Sequence, residues 1–312
     1  MKNKILILAG PTASGKTEIA RWISKRLACV MISFDSMQAY RSMPITTQAP
    51  SGMFPGSPKT HLVNFIDPQK EYNAAAFCKD ARPLIEWAFE KKKIPFLIGG
   101  TGLYLRALLD GLFENGEGKP FKDEVLRQDL LAQEAKAGGG YLHGLLKEKD
   151  PASAAGIHPN DTRRLVRALE VCHLSGRPFS SAKKDRKGLR ESVLPILFFL
   201  DRAREDLYQR INRRVGVMMR KGLVAEIKKL IKKPLSRTAA MALGVREVSG
   251  YLEGKIPLAE ASELLKKNTR NYAKRQITWF RHEPGARFVS VAPEETSRAV
   301  AERILKEWFQ TS

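Results

Sequence analysis

Apolar residues in this chain fall in short unbroken runs separated by amphipathic stretches of helical length. Ile5–Ala9, Val30–Phe34, Pro95–Gly99 and Val193–Asp201 are dominated by Ile, Leu, Val and Phe. That is the pattern of strands buried on both faces of a parallel sheet. The intervening periodicity predicts helices from Lys16 to Leu27 and from Ala74 to Lys92, and another beginning at Thr101. Strands alternating with helices make an open α/β sheet, in which ligands collect beyond the carboxyl ends of the strands.

From about Glu114 to Ser192 the pattern changes. Residues 114–120 read E-N-G-E-G-K-P, a turn-rich boundary, and the helical segments that follow are broken by Gly138–Gly140 and Pro151. The strand pattern returns at Val193. After Asp201 the chain is mostly helical as far as Lys274–Arg281, and a short strand, Arg287–Val291, precedes a last helix near Glu295–Phe309.

The first strand runs directly into Gly10-Pro11-Thr12-Ala13-Ser14-Gly15-Lys16-Thr17, which fits G-x-x-x-x-G-K-[ST] at every fixed position. Such a loop points successive backbone N–H groups into one small volume at the positive end of the following helix. Lys16 adds a mobile charge, and the Thr17 hydroxyl can hold Mg²⁺. The loop is a site for linked phosphates, and the motif does not say whether they belong to a nucleotide. The expected fold class is α/β: a P-loop NTPase-like parallel-sheet core from residues 1–113 and 193–312, with residues 114–192 as a helical insertion domain.

Charge changes the picture further. The chain has 312 residues, with Lys+Arg 54 against Asp+Glu 33 and a net charge of +21. A small-metabolite kinase has little need of that surplus, whereas an enzyme gripping a polyanion does. A hydrophobic content of 43% argues for a folded chain. Cys29, Cys78 and Cys172 are far apart and form no C-x-x-C pair, which argues against a zinc ribbon or disulfide framework. The N-terminal apolar run is too short for a signal-peptide core, and no stretch approaches the roughly 18–20 apolar residues needed to span a bilayer. The expectation is a cytoplasmic, soluble monomer that does not engage a membrane.

Two aspartates, Asp35 and Asp201, each end an apolar strand. Either can organise Mg²⁺ opposite the phosphate loop, and either can cap a helix. The longer, more apolar strand favours Asp201 on pattern alone, and composition leaves the choice open. Gly99-Gly100-Thr101-Gly102 is a second glycine-rich turn at a strand end, where backbone can approach a ligand and Thr101 can make a hydrogen bond. In the insertion, Asn160 reads as an N-cap before Asp161-Thr162-Arg163-Arg164-Leu165-Val166-Arg167, with Leu165, Leu169 and Cys172 on one helical face. Two further helices are basic, Arg210–Arg214 and Lys266–Arg281. In the second, Lys266, Arg270 and Lys274 form a stripe that suits a phosphodiester backbone, with Leu265, Tyr272 and Trp279 on another, core-like face.

Taken together, these segments resemble the bacterial tRNA dimethylallyltransferases over almost the whole chain. The resemblance rests on Gly10–Thr17, on Asp35-Ser36-Met37-Gln38-Ala39-Tyr40-Arg41 and on His61-Leu62 with Asp67-Pro68. It continues through Gly99–Tyr104, Asn160–Val171, Arg210–Val215, Gly222-Leu223 with Glu226, Ala242–Glu247 and Tyr272–Arg281. The D-S-x-Q-x-Y and Y-A-K-R-Q-x-T-W-F-R runs are its specific parts. It implies prenyl transfer from dimethylallyl diphosphate to N6 of the adenosine beside the anticodon, with Mg²⁺ as cofactor and the tRNA anticodon stem-loop as partner. It also implies that Asp35 is the base and that Asp201 is structural.

By the same resemblance Thr101 and Arg214 act at the diphosphate or tRNA contact. Gly10 to Thr17 hold the diphosphate, and Ser36, Met37 and Gln38 touch the target base and its neighbours. Arg127, Asp161, Thr162, Arg163, Arg164, Leu165 and Arg167 from the insertion, with Arg270 and Lys274, are implied tRNA contacts. Two departures stand out: Ala49 replaces the lysine of the family's G-T-A-K-P run, and Thr60-His61 replaces a pair of histidines. A P-loop kinase, a prenyltransferase for free adenine nucleotides and a non-catalytic RNA-binding protein are the alternatives. They leave the charge, the insertion with its basic helices, or Lys16 and Asp35, respectively, without a use.

Overall fold

The structure is a computed structural model that describes residues 2–49, 59–114 and 121–311. Its centre is a sheet of six strands, β1 (Asn3–Ala9), β2 (Cys29–Ser33), β3 (Thr60–His61), β4 (Ile94–Gly99), β5 (Val193–Asp201) and β6 (Ala286–Ser290). The spatial order is β3-β2-β4-β1-β5-β6, and every neighbouring pair is parallel. Ile5 through Ala9 have no exposed surface, as an interior parallel strand requires. On β1, Leu6 lies opposite Phe96 of β4 on one side and Ile196 of β5 on the other.

Helix Lys16–Ser24 and the last helix, Ser297–Gln310, share a core with the sheet. Ile19, Ala20 and Ile23 recur at helical spacing and pack with Leu6, Leu8, Val300, Ile304 and Trp308. Chain leaving β1 turns towards β2 and chain leaving β4 turns towards β5, so a crevice opens beyond their carboxyl ends. That edge carries Gly10 after β1, Asp35 just past β2, Gly100 and Thr101 after β4, and Arg202 after β5.

The chain divides into two compact units, Met1–Leu109 with Ser192–Ser312, and Asp110–Glu191. Residues 115–120, most of the expected turn-rich boundary, lie outside the described residues. The second unit contains helices Glu124–Ala137, Tyr141–Lys149, Pro151–Ala155, Thr162–Ser175 and Phe179–Lys184. They close around Leu130, Leu142, Leu146, Leu165 and Leu169. The cap of helix Thr162–Ser175 is Asp161, not Asn160: its carboxylate accepts the Arg164 N–H at 3.2 Å.

Other elements differ in extent from the sequence reading. The first helix stops at Ser24, short of Leu27. Strand β3 has only two residues and no run of its own to announce it. Strand β2 ends at Ser33, which leaves Asp35 two residues beyond the ladder.

Candidate active site

The phosphate loop is shaped by its own Gly15 and Lys16 and by two arginines that follow β5. Gly15 adopts φ +96°, in the left-handed region, and starts helix Lys16–Ser24. Lys16 folds back so that Nζ donates to the carbonyls of Gly10 (2.7 Å) and Pro11 (2.8 Å). Arg202, buried at the end of β5, donates from Nε to the Ser14 carbonyl at 2.8 Å and is itself held by Asp206. Arg210 donates from Nε to the Ala13 carbonyl at 2.9 Å. A trans peptide sets its C=O and N–H antiparallel. Taking the Ser14 carbonyl from outside therefore aims the Gly15 N–H the opposite way, towards the inside of the loop.

The second glycine turn is locked to the first by one side chain. Gln276, on helix Leu258–Arg281, accepts the Thr12 N–H through Oε1 at 2.8 Å and donates through Nε2 to the Gly100 carbonyl at 3.0 Å. A Cβ on residue 100 would stand 2.2 Å from that Nε2, and one on residue 102 would stand 2.2 Å from the Trp279 indole. These two glycines allow the long helix to approach the sheet edge this closely. Glycine in this turn thus serves packing, and the turn is brought to the loop as a consequence.

Asp35 lies near the same loop, close enough for its carboxylate to act on both Lys16 and Arg214. Its Oδ1 accepts the Met37 N–H at 3.0 Å, which folds the Asp35–Gln38 segment into a tight turn. The Ser33 hydroxyl donates to Gln38 Oε1 at 3.1 Å, and Thr101 Oγ1 accepts the Ser36 N–H at 3.1 Å. Thr101 thereby ties the β2 loop to the β4 loop.

The electrostatics are shared between elements. Burial pushes the Lys16 ammonium down to about 8, Asp35 opposes that fall, and Arg214 adds to it. Burial also lowers Arg214, again with Asp35 pulling it back. Tyr272 is raised by burial and then by Asp35, with the neighbouring Thr101 hydroxyl opposing the rise. Tyr104 is raised by burial, Tyr40 and Asp35. Lys16, Arg214, Tyr104 and Tyr272 come from four helices, and all sense the one carboxylate. Asp201 does not enter the surroundings of any of them; its carbonyl accepts the Val291 N–H beside β6. The pattern-based preference for Asp201 is thereby corrected.

Thr17 is exposed, and its hydroxyl has no hydrogen-bond partner among the described residues. The described residues contain no group of three or more His, Cys, Asp or Glu able to hold a metal. The donors present therefore suit an Mg²⁺ that arrives on phosphate oxygens and keeps its waters, not an all-protein cage.

Other predicted contacts are placed as follows. Lys274 is exposed and Arg270 half-buried, with Arg270 donating to Asn212 Oδ1 at 2.7 Å. In the helical unit, Arg163 and Arg164 are exposed, and Asp161 and Thr162 are half-buried. Leu165 is wholly buried among Leu142, Leu146 and Leu169, so its side chain serves the core of its unit and does not face RNA. Arg127 grips the buried Glu170 with two hydrogen bonds of 2.7 and 2.9 Å, and Arg167 pairs with the same carboxylate. Ala49 is buried, Pro50 lies outside the described residues, and Thr60-His61 forms β3 with His61 edge-on to Trp87.

Sequence reasoning missed Arg202, Gln276 and the site role of Tyr272, which it assigned to the core. The position of Arg202 immediately after a long apolar strand was a usable signal for a loop-edge residue. Gln276 and Tyr272 lie one helical turn apart, and only their helix's docking on the sheet edge gives them a role.

Residues 38–283 match the model of the IPP transferase family. A tRNA dimethylallyltransferase of Carboxydothermus hydrogenoformans is 39% identical over 309 residues, covering 98% of each chain. One from Bacillus subtilis is 38% identical over 94% of this chain and 92% of its own. Among solved structures, the tRNA isopentenylpyrophosphate transferase of Bacillus halodurans superposes with a TM-score of 0.70 at 36% identity, covering 99% of this chain and 98% of the other. A eukaryotic dimethylallyltransferase acting on tRNA gives a TM-score of 0.81 at 26% identity, covering 99% of this chain and 80% of the other. With more than half its length in the family match and relatives this similar from end to end, the chain belongs to the IPP transferase family.

Proposed function

We propose that the chain is a tRNA dimethylallyltransferase that moves the dimethylallyl group from dimethylallyl diphosphate to N6 of the adenosine adjacent to the anticodon. The observation that carries the proposal is that one carboxylate, Asp35, is sensed by the phosphate-loop Lys16, by Arg214 and by two tyrosines around a single hollow. A base and a diphosphate cradle so close together suit a transfer between a nucleophile that must lose a proton and a leaving group that gains negative charge.

The adenine amine is a poor nucleophile because its lone pair is delocalised into the ring. Attack forms the N6–C bond as the allylic C–O bond breaks, and the electron pair of that bond leaves with diphosphate. The nitrogen, now positive, gives its proton to the Asp35 carboxylate. Charge growing on the leaving oxygen is opposed by the loop N–H groups, Lys16 and Arg214, already oriented before the reaction. Lys16 donates to Gly10 and Pro11 carbonyls in the present state, so it exchanges those partners for phosphate oxygens. When bound at Thr17, Mg²⁺ supplies further charge neutralisation on the diphosphate. Thr101 holds the Ser36–Gln38 segment in place for the entering base through the Ser36 N–H.

An anticodon-loop purine reaches such a hollow only by being flipped out, at a cost of a few kcal/mol. Phosphate contacts along the basic helices offset that cost, which is the use the proposal finds for a net charge of +21.

Incubation with labelled dimethylallyl diphosphate, Mg²⁺ and undermodified tRNA with an adenine-rich anticodon loop tests the proposal. Label recovered on N6 of adenosine is the expected result. Phosphate transfer from ATP, or prenylation of free adenine nucleotides without tRNA, overturns it.

A further inference from the structure

The last residue of β2 carries a hydroxyl that no step of the reaction uses. Ser33 is 3% exposed, and both partners of its Oγ lie on the segment that carries Asp35. It accepts the Asp35 N–H at 3.3 Å and donates to Gln38 Oε1 at 3.1 Å. The hydroxyl has a single proton, and its contact with Asp35 is to a donor. With no further acceptor among the described residues, that proton goes to the Gln38 side chain, and the oxygen end of the amide faces Ser33. The reverse orientation would leave the buried hydroxyl proton without an acceptor, which is unfavourable.

The backbone around Gln38 is fixed as well. Its carbonyl accepts the Asn64 N–H at 2.8 Å, and the carbonyl of Ala39 accepts the N–H groups of Phe65 and Ile66. The side-chain Nε2, by contrast, has no hydrogen-bond partner among the described residues, and Gln38 is only half-buried. Gln38 therefore presents two N–H donors, with its amide oxygen turned away.

A donor suits the chemistry beside it. Gln38 lies three residues beyond Asp35, on the turn closed by the bond from the Met37 N–H to Asp35 Oδ1. The amine of adenine is flanked by two ring acceptors, N1 and N7. A freely rotating glutamine takes adenine bidentately, with its oxygen on the amine and its nitrogen on N7. At a reacting amine the first of those contacts is harmful, because it competes with the base for the proton that must leave. Turning the oxygen towards Ser33 removes the competitor and keeps the donor.

We propose that Ser33 is a positioning residue that holds Gln38 as a donor to a ring nitrogen, N1 or N7, of the target adenine. This role rests on the tRNA reading above and adds to it the kind of atom by which the base is held. Ser33 touches neither substrate and acts through Gln38.

The test is single-turnover prenylation, by the full chain, of anticodon stem-loops carrying adenosine, 1-deazaadenosine or 7-deazaadenosine at the acceptor position. The unmodified enzyme should lose about ten-fold in rate with the analogue that lacks the held nitrogen, the worth of one hydrogen bond. Comparing that penalty between variants cancels the intrinsic reactivity of the altered ring. It should vanish in Gln38→Ala and shrink in Ser33→Ala, where the amide is free to turn, while KM for dimethylallyl diphosphate holds in both. Gln38→Glu keeps the shape and the contact with Ser33 but offers no donor. The penalty should vanish there too, whereas a pair with a merely structural role would retain it. A penalty that survives in full in Ser33→Ala or in Gln38→Glu overturns the proposal. Failure of the unmodified enzyme to prenylate the adenosine stem-loop overturns the proposed function instead, so the two failures are distinguishable.

Discussion

Gln276 and Thr12 lie 264 positions apart, yet the Gln276 amide oxygen takes the Thr12 N–H of the phosphate loop at 2.8 Å. Because the same amide donates to Gly100, one buried side chain sets the distance between the loop that cradles a diphosphate and the turn that carries Thr101.

Replacing Gln276 with Leu keeps the volume and removes both contacts. It strands a loop N–H and the Gly100 carbonyl, each at a cost of about 1–3 kcal/mol. A lower melting temperature and a raised KM for the diphosphate are expected. Gln276→Glu should do more harm than Gln276→Leu to diphosphate affinity, because it adds negative charge beside the loop. Melting curves and steady-state kinetics on the two variants check both points.

Lys16 provides a pH signature. With its ammonium held at about 8, the charge offered to diphosphate disappears as pH rises through that value. Its kcat/KM for the diphosphate, measured at saturating tRNA, should fall above about pH 8 with a slope approaching −1 on a logarithmic plot. Lys16→Arg, charged throughout, should show no such limb, whatever its absolute rate.

Asp35→Asn removes the proposed proton acceptor, and transfer should drop by about 10²–10⁴. Diphosphate binding should survive, but its pH dependence should move. Asp35 raises the Lys16 value, so without it Lys16 loses its proton at lower pH. A binding titration that shows the limb shifted to the acidic side checks the coupling; a limb that stays in place contradicts it.

Glu170 is the charged pivot of the helical unit. Burial pushes its carboxyl up, but hydrogen bonds from Arg127, the Asp123 N–H and Arg167 pull it below the ordinary carboxylate range. A depressed folded-state value means that the stabilisation is present above the unfolded value of about 4.3 and is lost as pH falls through the folded one. Glu170→Ala removes the buried carboxylate shared by two part-exposed arginines, which keep Glu124 and the Phe121 carbonyl as partners, and should cost about 1–3 kcal/mol. Hydrogen exchange of helices Glu124–Ala137 and Thr162–Ser175, compared at pH 6 and pH 3, measures both effects.

Much of this was legible in the chain. The apolar runs marked β1, β2, β4 and β5 because burial on both faces demands continuous hydrophobicity, which survives in one dimension, and the edge strand β6 was read from a shorter run. The phosphate loop was legible because its geometry is local: Gly15 at positive φ and Lys16 and Thr17 at a helix start need no distant partner. By contrast β3, only two residues long, has no periodicity to read. The nearness of Tyr272 to Thr101 and Asp35 was not legible, because aromatic residues at helical spacing look alike whatever they pack against.

The amino-acid order by itself determined the parallel sheet, the phosphate loop, the helical insertion and the basic surplus, since each depends on residue type and short-range spacing. The tertiary structure alone brought Arg202 and Gln276 to the phosphate loop, set Tyr272 beside Thr101 and gathered three cations on Tyr208. Those outcomes depend on which strand ends lie side by side and on where a distant helix docks, and long-range proximity leaves no periodic trace along a single chain.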